Sequence, residues 1–205
     1  MDPNTFPTKG NLILAKNSLA LAKQGYELMD KKRNILIREL MELIDQADSI
    51  QKEILVTYET AYKALEMANI ELGINYVMES ASAVPIEDSI NIKSRSIMGV
   101  EIPHIDFEDN GIEPTYSFYG SSMNLDKARV AFEKVKSLSI KLAAIENSAY
   151  RLATNVKKTQ KRANALQNIT IPKFTERVKS ISNALEEKER EEFTRLKVIK
   201  RQMGN

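Results

Sequence analysis

"AKNSLALAKQGYELMDKKRNILIRELMELIDQADSIQKEILVTYETAYKALEMANIEL" (residues 15–72) decides the fold. Alternating steps of four and three from Ala15 pick out Leu19, Ala22, Tyr26, Met29, Arg33, Leu36, Leu40, Leu43, Ala47, Ile50 and Ile54. A second step of four then leads to Tyr58, Ala61, Leu65, Ala68 and Leu72. Only Arg33 interrupts these seventeen positions. An apolar seam kept over so many heptads is the signature of a coiled coil, and the doubled step at Ile54–Tyr58 is a stutter that locally unwinds it. At 1.5 Å per residue the helix extends over roughly 85–90 Å. Thr8, after Pro7, is the expected N-cap, and Gly73 the expected end.

Working outward, the seam returns late in the chain as Ala131, Val135, Leu138, Leu142, Ile145, Ala149, Leu152, Val156, Thr159, Ala163 and Leu166, with Ser122 or Asn124 placed to cap its start. It resumes past "QNITIP" as Phe174, Val178, Ile181 and Leu185, and then as Phe193, Leu196, Ile199 and Met203. Pro172 removes the bond to the carbonyl of Asn168 and collides with it, at about 3 kcal/mol in a helix interior. Asn168 and Pro172 therefore predict a kink or brief break, after which the seam restarts in shifted phase. Two long helices joined by a short connector pack as antiparallel neighbours. The expected fold is all-α dominated: a long antiparallel two-helix coiled coil with a small β-hairpin-containing globular end. The expected division is residues 8–73, 74–122 and 123–204. Within the middle part, "SINIKSRSIMGVEIPHIDF" alternates and "PTYSFYG" is aromatic, so a β-hairpin is expected near 89–119, with Pro103 and Pro114 on strand edges.

Composition agrees with long helices: 205 residues, 42% apolar, 28% charged, seven Gly and six Pro. No cysteine is present, which leaves no disulfide frame or thiolate chemistry. No apolar run reaches the roughly 18–20 residues of a membrane span, and "MDPNTFPTKG" lacks a signal-peptide core, so the expectation is an intracellular protein with no direct membrane span. Net charge is +2, but it is unevenly distributed. Residues 9–38 carry seven Lys/Arg against two acids, and residues 151–179 eight against one. Residues 39–86 reverse this, with two bases against nine acids, and so do residues 87–113, with two against seven.

No P-loop occurs, since "GNLILAK" lacks its spacing. His104 has no second imidazole, and its neighbours Asp106 and Glu108 fit an acidic turn better than a metal or acid–base site. Glu186 with Arg190, and Glu191 with Arg195, are i,i+4 pairs of a solvated helix. No catalytic residue, metal or cofactor is therefore expected. A basic arm for nucleic acid, suggested by "KKR" at 31–33 and "KKTQKR" at 157–162, is opposed by interleaved acids and the lack of stacking aromatics. A homodimeric scaffold is disfavoured because a partner helix already exists within the chain.

"PTKGNLILAKNSLALAKQGYELMDKKRNIL", "RSIMGVEIPHIDF" and "KKTQKRANALQNITIPKFTERVKSISNALEEKEREEFTRLKVIK" resemble the D subunits of the V-type and archaeal-type rotary ATPases and ATP synthases. The terminal block is the most specific, through Arg162, Asn164, Leu166, Ile171, Pro172, Leu185, Glu186 and Arg190. The resemblance implies a non-catalytic central rotor shaft, cytoplasmic and peripheral to the membrane. Its paired termini would enter a hexamer of A and B subunits, with the F subunit on its side and the C subunit, a cap, joining it to the ion-conducting ring. With residue 10 set beside residue 200, a basic collar is expected in which Lys31, Lys32, Arg33 and Arg38 fall near Lys173, Arg177 and Lys179. Together with Lys9, Lys16, Lys23, Arg190, Arg195, Lys197 and Lys200 these are the candidate hexamer-contact residues. Ile97, Met98, Val100, Ile102 and Pro103 are the candidate partner-binding residues of the globular end.

Overall fold

A computed structural model describes residues 6–86, 90–107, 111, 113–117 and 119–203. The chain forms α1 (Lys9–Leu72), α2 (Ile74–Ser82), β1 (Ile90–Ile97), β2 (Val100–Phe107), α3 (Met123–Ala165), a π-helical turn (Leu166–Thr170) and α4 (Ile171–Met203). The fold class is the expected one, a helical hairpin carrying a small antiparallel two-stranded sheet. By packing it divides into two units, Ile35–Asn155 and Met1–Asn34 with Val156–Asn205.

α1 starts where its sequence says. Thr8 Oγ1 accepts from the Asn11 amide at 3.2 Å, and the Leu12 amide closes on the Thr8 carbonyl at 3.0 Å. Gly73, with φ of 80°, ends it, because that backbone conformation is open to glycine and strained for other residues. Every buried apolar residue of α1 among those described lies on the seam read from the sequence: Ala15, Ala22, Leu36, Ile54, Ala61 and Ala68.

In the unit Ile35–Asn155, α3 runs back along α1. Gln51 Nε2 donates to Glu146 Oε1 at 3.4 Å, Lys134 Nζ pairs with Glu53 Oε1 at 2.8 Å, and Asn124 Nδ2 donates to Glu71 Oε1 at 2.7 Å. Ser122 caps α3: its Oγ accepts from the Asn124 amide at 3.1 Å while its hydroxyl donates to Glu71. Leu36 and Leu152 are fully buried. Past the stutter, Tyr58 stacks on Tyr62, which meets Phe132 edge-on at 5.4 Å. Near Gly73 the core consists of Ala68, Val77 and Leu125, covered by Leu65, Leu72, Tyr76 and Tyr116.

The middle segment differs in detail from its sequence reading. Residues 74–82 form a helix, with Val77 and Ser80 inward. The hairpin closes through Met98 (φ 50°) and Gly99 (φ 75°), a two-residue turn with both φ positive, and Ile97 pairs with Val100. This tight turn makes "VEIPHIDF" the return strand. "PTYSFYG" is left without one: Pro114, Thr115, Tyr116 and Ser117 are irregular, and Phe118 lies outside the described residues. Pro103 sits opposite Ser94, an outward-facing position where the missing N–H costs no ladder bond. The outward carbonyls of β2 are taken by α3, with Ser148 Oγ donating to Pro103 O at 3.3 Å and Arg151 Nη1 to Glu101 O at 3.2 Å. One edge of the hairpin is thereby covered.

The unit Met1–Asn34 with Val156–Asn205 is a helix pair alone. Arg33, the break in the seam, donates from Nη1 to Gln160 Oε1 at 3.0 Å and pairs with Asp30 at 2.6 Å. Leu166 Cδ1 lies 3.8 Å from where a Cβ on Gly25 would stand. Lys9 Nζ meets Glu189 Oε1 at 3.2 Å. Helix continues through the region of Pro172. Ile171 N–H reaches back five residues to the Leu166 carbonyl, and Thr170 Oγ1 donates to the Ala165 carbonyl at 3.3 Å. The wide turn inserts one residue into the ladder. The seam steps eight residues from Leu166 to Phe174 where seven would keep phase, so that single insertion accounts for the shift, and Ile181 is buried beyond it.

Candidate partner-contact surfaces

The register of the helix pair decides which cations come together. It is set by Arg33 on Gln160, Gly25 against Leu166 and Lys9 on Glu189, and so differs from the expected placing of residue 10 beside residue 200. Lys173, Arg177 and Lys179 therefore lie along the stretch of α1 that bears Lys16 and Lys23. Lys31, Lys32 and Arg33 lie along the stretch of α3 that bears Lys157, Lys158, Lys161 and Arg162. The single collar expected from the sequence becomes two basic bands, and Arg38 belongs to the other unit.

Lys16, Lys23, Lys31, Lys173 and Lys179 are exposed, and Lys32 and Arg177 half-buried. Arg33 serves the helix pair itself, because Asp30 and Gln160 occupy its guanidinium, whose side chain is 25% exposed. Arg195 stands 3.9 Å from Glu191, while Arg190, Lys197 and Lys200 point into solvent.

Because Glu189 is opposite Lys9, residues 190–203 run past the start of α1, and all are exposed. The seam residues in this overhang lack cover: Phe193 is 70% exposed, Leu196 65% and Met203 85%. Their spacing makes an exposed apolar stripe on an otherwise charged helix. Asn168 lies exposed in the wide turn and Pro172 at the second position of α4.

At the globular end the five candidate residues separate. Val100 and Ile102 are buried, and so belong to the packing of the hairpin rather than to its outer surface. Met98 is exposed at the turn, and Ile97 and Pro103 are half-buried. Solvent instead meets Ile90 and Ile92 on β1, and Ile70, Ile74 and Met78 near Gly73. Lys93 pairs with Asp106 at 2.5 Å, and His104 Nε2 lies 3.3 Å from the same carboxylate. The hydrogen bond from Lys93 holds Asp106 below, and Lys93 above, its ordinary pKa. Among the described residues no group of His, Cys, Asp or Glu is arranged to hold a metal, and no helix is long and apolar enough to cross a membrane.

The sequence reading missed a polar cluster at this end. Tyr116 OH donates to Asp126 Oδ1 at 2.7 Å, and burial, reinforced by that carboxylate, pushes the phenol up to about 12. Arg129 lies one turn beyond Asp126 on α3. The i,i+3 spacing of Asp126 and Arg129 is visible in the sequence, but the aromatic composition around Tyr116 points to a strand and hides the third member.

The family of ATP synthase D subunits matches residues 11–201. The D subunit of the V-type ATP synthase of Thermotoga neapolitana is 46% identical over 198 residues, spanning 97% of this chain and 98% of the relative. The D subunit of the A-type ATP synthase of Pyrococcus furiosus is 37% identical over 197 residues, spanning 95% and 92%.

Proposed function

The chain belongs to the family of ATP synthase D subunits, and on that premise we propose that it is the central rotor shaft of a V/A-type complex. In this reading it carries torque between a membrane ring that conducts ions and a catalytic hexamer, and catalyses nothing itself. The observation that carries the proposal is the buried seam that pairs α1 with the returning helix. Twisting one helix of such a pair drags the other through packed side chains, so rotation at one end is delivered at the other.

The remaining features find roles within that reading. The overhang with Phe193, Leu196, Ile199 and Met203 enters the hexamer of A and B subunits, which supplies the missing apolar cover. The bands containing Lys16, Lys23, Lys173 and Lys179, and Lys31 and Lys32, run against acidic loops. Exposed ion pairs are worth only about 0–1 kcal/mol each, so no single contact traps the rotor. The wide turn at Asn168 and Pro172 makes the shaft asymmetric, which allows it to bias the alternating catalytic sites differently. The F subunit grips the side of the shaft and the C subunit takes the other end, where residues 74–122 form the globular connector between helical parts 8–73 and 123–204. The whole works in the cytoplasm, peripheral to the membrane.

A tag on this chain is expected to bring down an ATP-hydrolysing hexamer from native membranes extracted in mild detergent. Recovery of the chain alone, or as a homodimer, would contradict the proposal. In that complex, Phe193→Ser with Leu196→Ser is expected to leave ATP hydrolysis but uncouple it from ion pumping.

A further inference from the structure

Two buried side-chain polar atoms of the described residues have no hydrogen-bond partner, Arg129 Nε and Thr115 Oγ1. Arg129 lines a cavity of about 260 Å³ within the unit Ile35–Asn155, and Tyr116, the neighbour of Thr115, lines it too. The other walls are mostly apolar, among them Leu65, Val77, Val84, Leu125 and Phe132.

A guanidinium stays charged at any pH the protein meets, and a buried donor left unpaired costs about 1–3 kcal/mol. The carboxylates nearby do not relieve it. Glu133 approaches Arg129 only to 4.0 Å, and its other oxygen is held by Lys136. Asp126 Oδ1 is occupied by the Tyr116 hydroxyl. Water is a poor occupant of the remaining space, since an ordered water needs two to four polar partners and these walls are largely hydrocarbon. An apolar pocket with a guanidinium nitrogen left without a hydrogen-bond partner complements an apolar group that ends in an acid. Arginine is the side chain best suited to take a carboxylate, through charge-assisted paired hydrogen bonds.

We propose that this cavity binds an apolar group carrying a carboxylate, with Arg129 as the anchor for the acid and Leu65, Val77, Val84 and Phe132 enclosing the hydrocarbon. The acid comes either from a neighbouring polypeptide, as an acidic side chain or C-terminus beside a hydrophobic residue, or from a free aliphatic acid. The size leans toward a protein side chain, because small-molecule sites commonly occupy about 300–1,000 Å³.

The test uses the whole chain with two probes of equal tail length, octanoate and octan-1-ol, followed through the methyl resonances of Leu65, Val77 and Val84. Octanoate is expected to bind saturably and at least tenfold more tightly than the alcohol. Arg129→Gln is expected to bring octanoate down to the level of the alcohol while circular dichroism and melting temperature stay near the parent's. The comparison of the two probes in the parent chain stands even where that variant fails to fold. Equal binding of acid and alcohol, no saturable binding of octanoate, or undiminished octanoate binding by a folded Arg129→Gln chain would each overturn the proposal. A photoreactive residue at Val84 in the tagged chain then separates the sources. A cross-link to another polypeptide of the native complex identifies a protein acid, and octanoate binding without such a cross-link identifies a free one.

Discussion

The units Ile35–Asn155 and Met1–Asn34 with Val156–Asn205 both use the seam of α1, but they bury it to different depths. Of the buried apolar residues described, twelve lie in the first unit and only Ala15, Ala22, Ala163 and Ile181 in the second. The first unit adds α2, the hairpin and the Tyr116 segment to its helix pair, and large side chains such as Leu36, Leu138 and Leu152 are buried in it. A bare helix pair offers each side chain cover from one direction only. It closes over three alanines and Ile181 and leaves Leu21, Leu28 and the overhang in solvent. Folding stability is therefore concentrated in the first unit.

The largest break in this comparison comes from Leu152→Ala, which removes a fully buried side chain. We expect a loss of about 2–5 kcal/mol in urea unfolding. The matched change Leu196→Ala in the overhang is expected to cost under about 0.5 kcal/mol, as at an ordinary surface position. Equal losses would remove the distinction between the units. Pro172→Ala acts in the opposite direction, since it restores an amide donor and relieves the ring. A gain of about 1–3 kcal/mol is expected, together with weaker coupling of hydrolysis to pumping in the complex. A loss of stability would mean that the wide turn depends on the proline for more than its missing N–H.

Tyr116→Phe removes a half-buried hydrogen bond at a cost of about 0.5–1.5 kcal/mol. Its pH signature is sharper. Because the folded-state pKa of Tyr116 is raised from 10.0 to about 12, its contribution is complete below pH 10 and is lost as pH rises toward 12. Stability of the parent is expected to fall through that window, and that of Tyr116→Phe to fall less. The smallest effect is that of Lys9→Ala, whose pair with Glu189 is exposed on both sides. A change below about 1 kcal/mol, erased by salt, is expected in thermal melts.

What could be read from the sequence was whatever local chemistry determines. The seam, the Thr8 cap, the Gly73 end and the hairpin all depend on side-chain period and backbone conformation within a few residues. Three features could not be read this way. The register of the pair depends on where Arg33 finds Gln160, 127 residues away, and the apolar pattern alone tolerates a shift by whole heptads. The region of Pro172 was legible as an irregularity, but its form as a wide turn depends on the amide of Ile171 choosing the Leu166 carbonyl. The aromatic segment around Tyr116 has strand-like composition, yet packing of Tyr116 against the cluster of Ala68, Val77 and Leu125 draws it onto the core instead. The candidate contact residues were legible as to charge and less so as to place. Two basic bands replaced one collar, and Val100 and Ile102 went to packing.

The central claim is the antiparallel register of α1 with α4, and pulsed electron spin measurement on paired labels tests it most directly. One pair is placed at Lys9 and Glu189, the other at Lys9 and Lys200. The second label site lies eleven residues further along α4, an axial displacement of about 16 Å. A short, narrow distance for the first pair and a distinctly longer one for the second is the expected result. A shorter distance for Lys9 and Lys200, or long and broad distributions for both, would contradict the account.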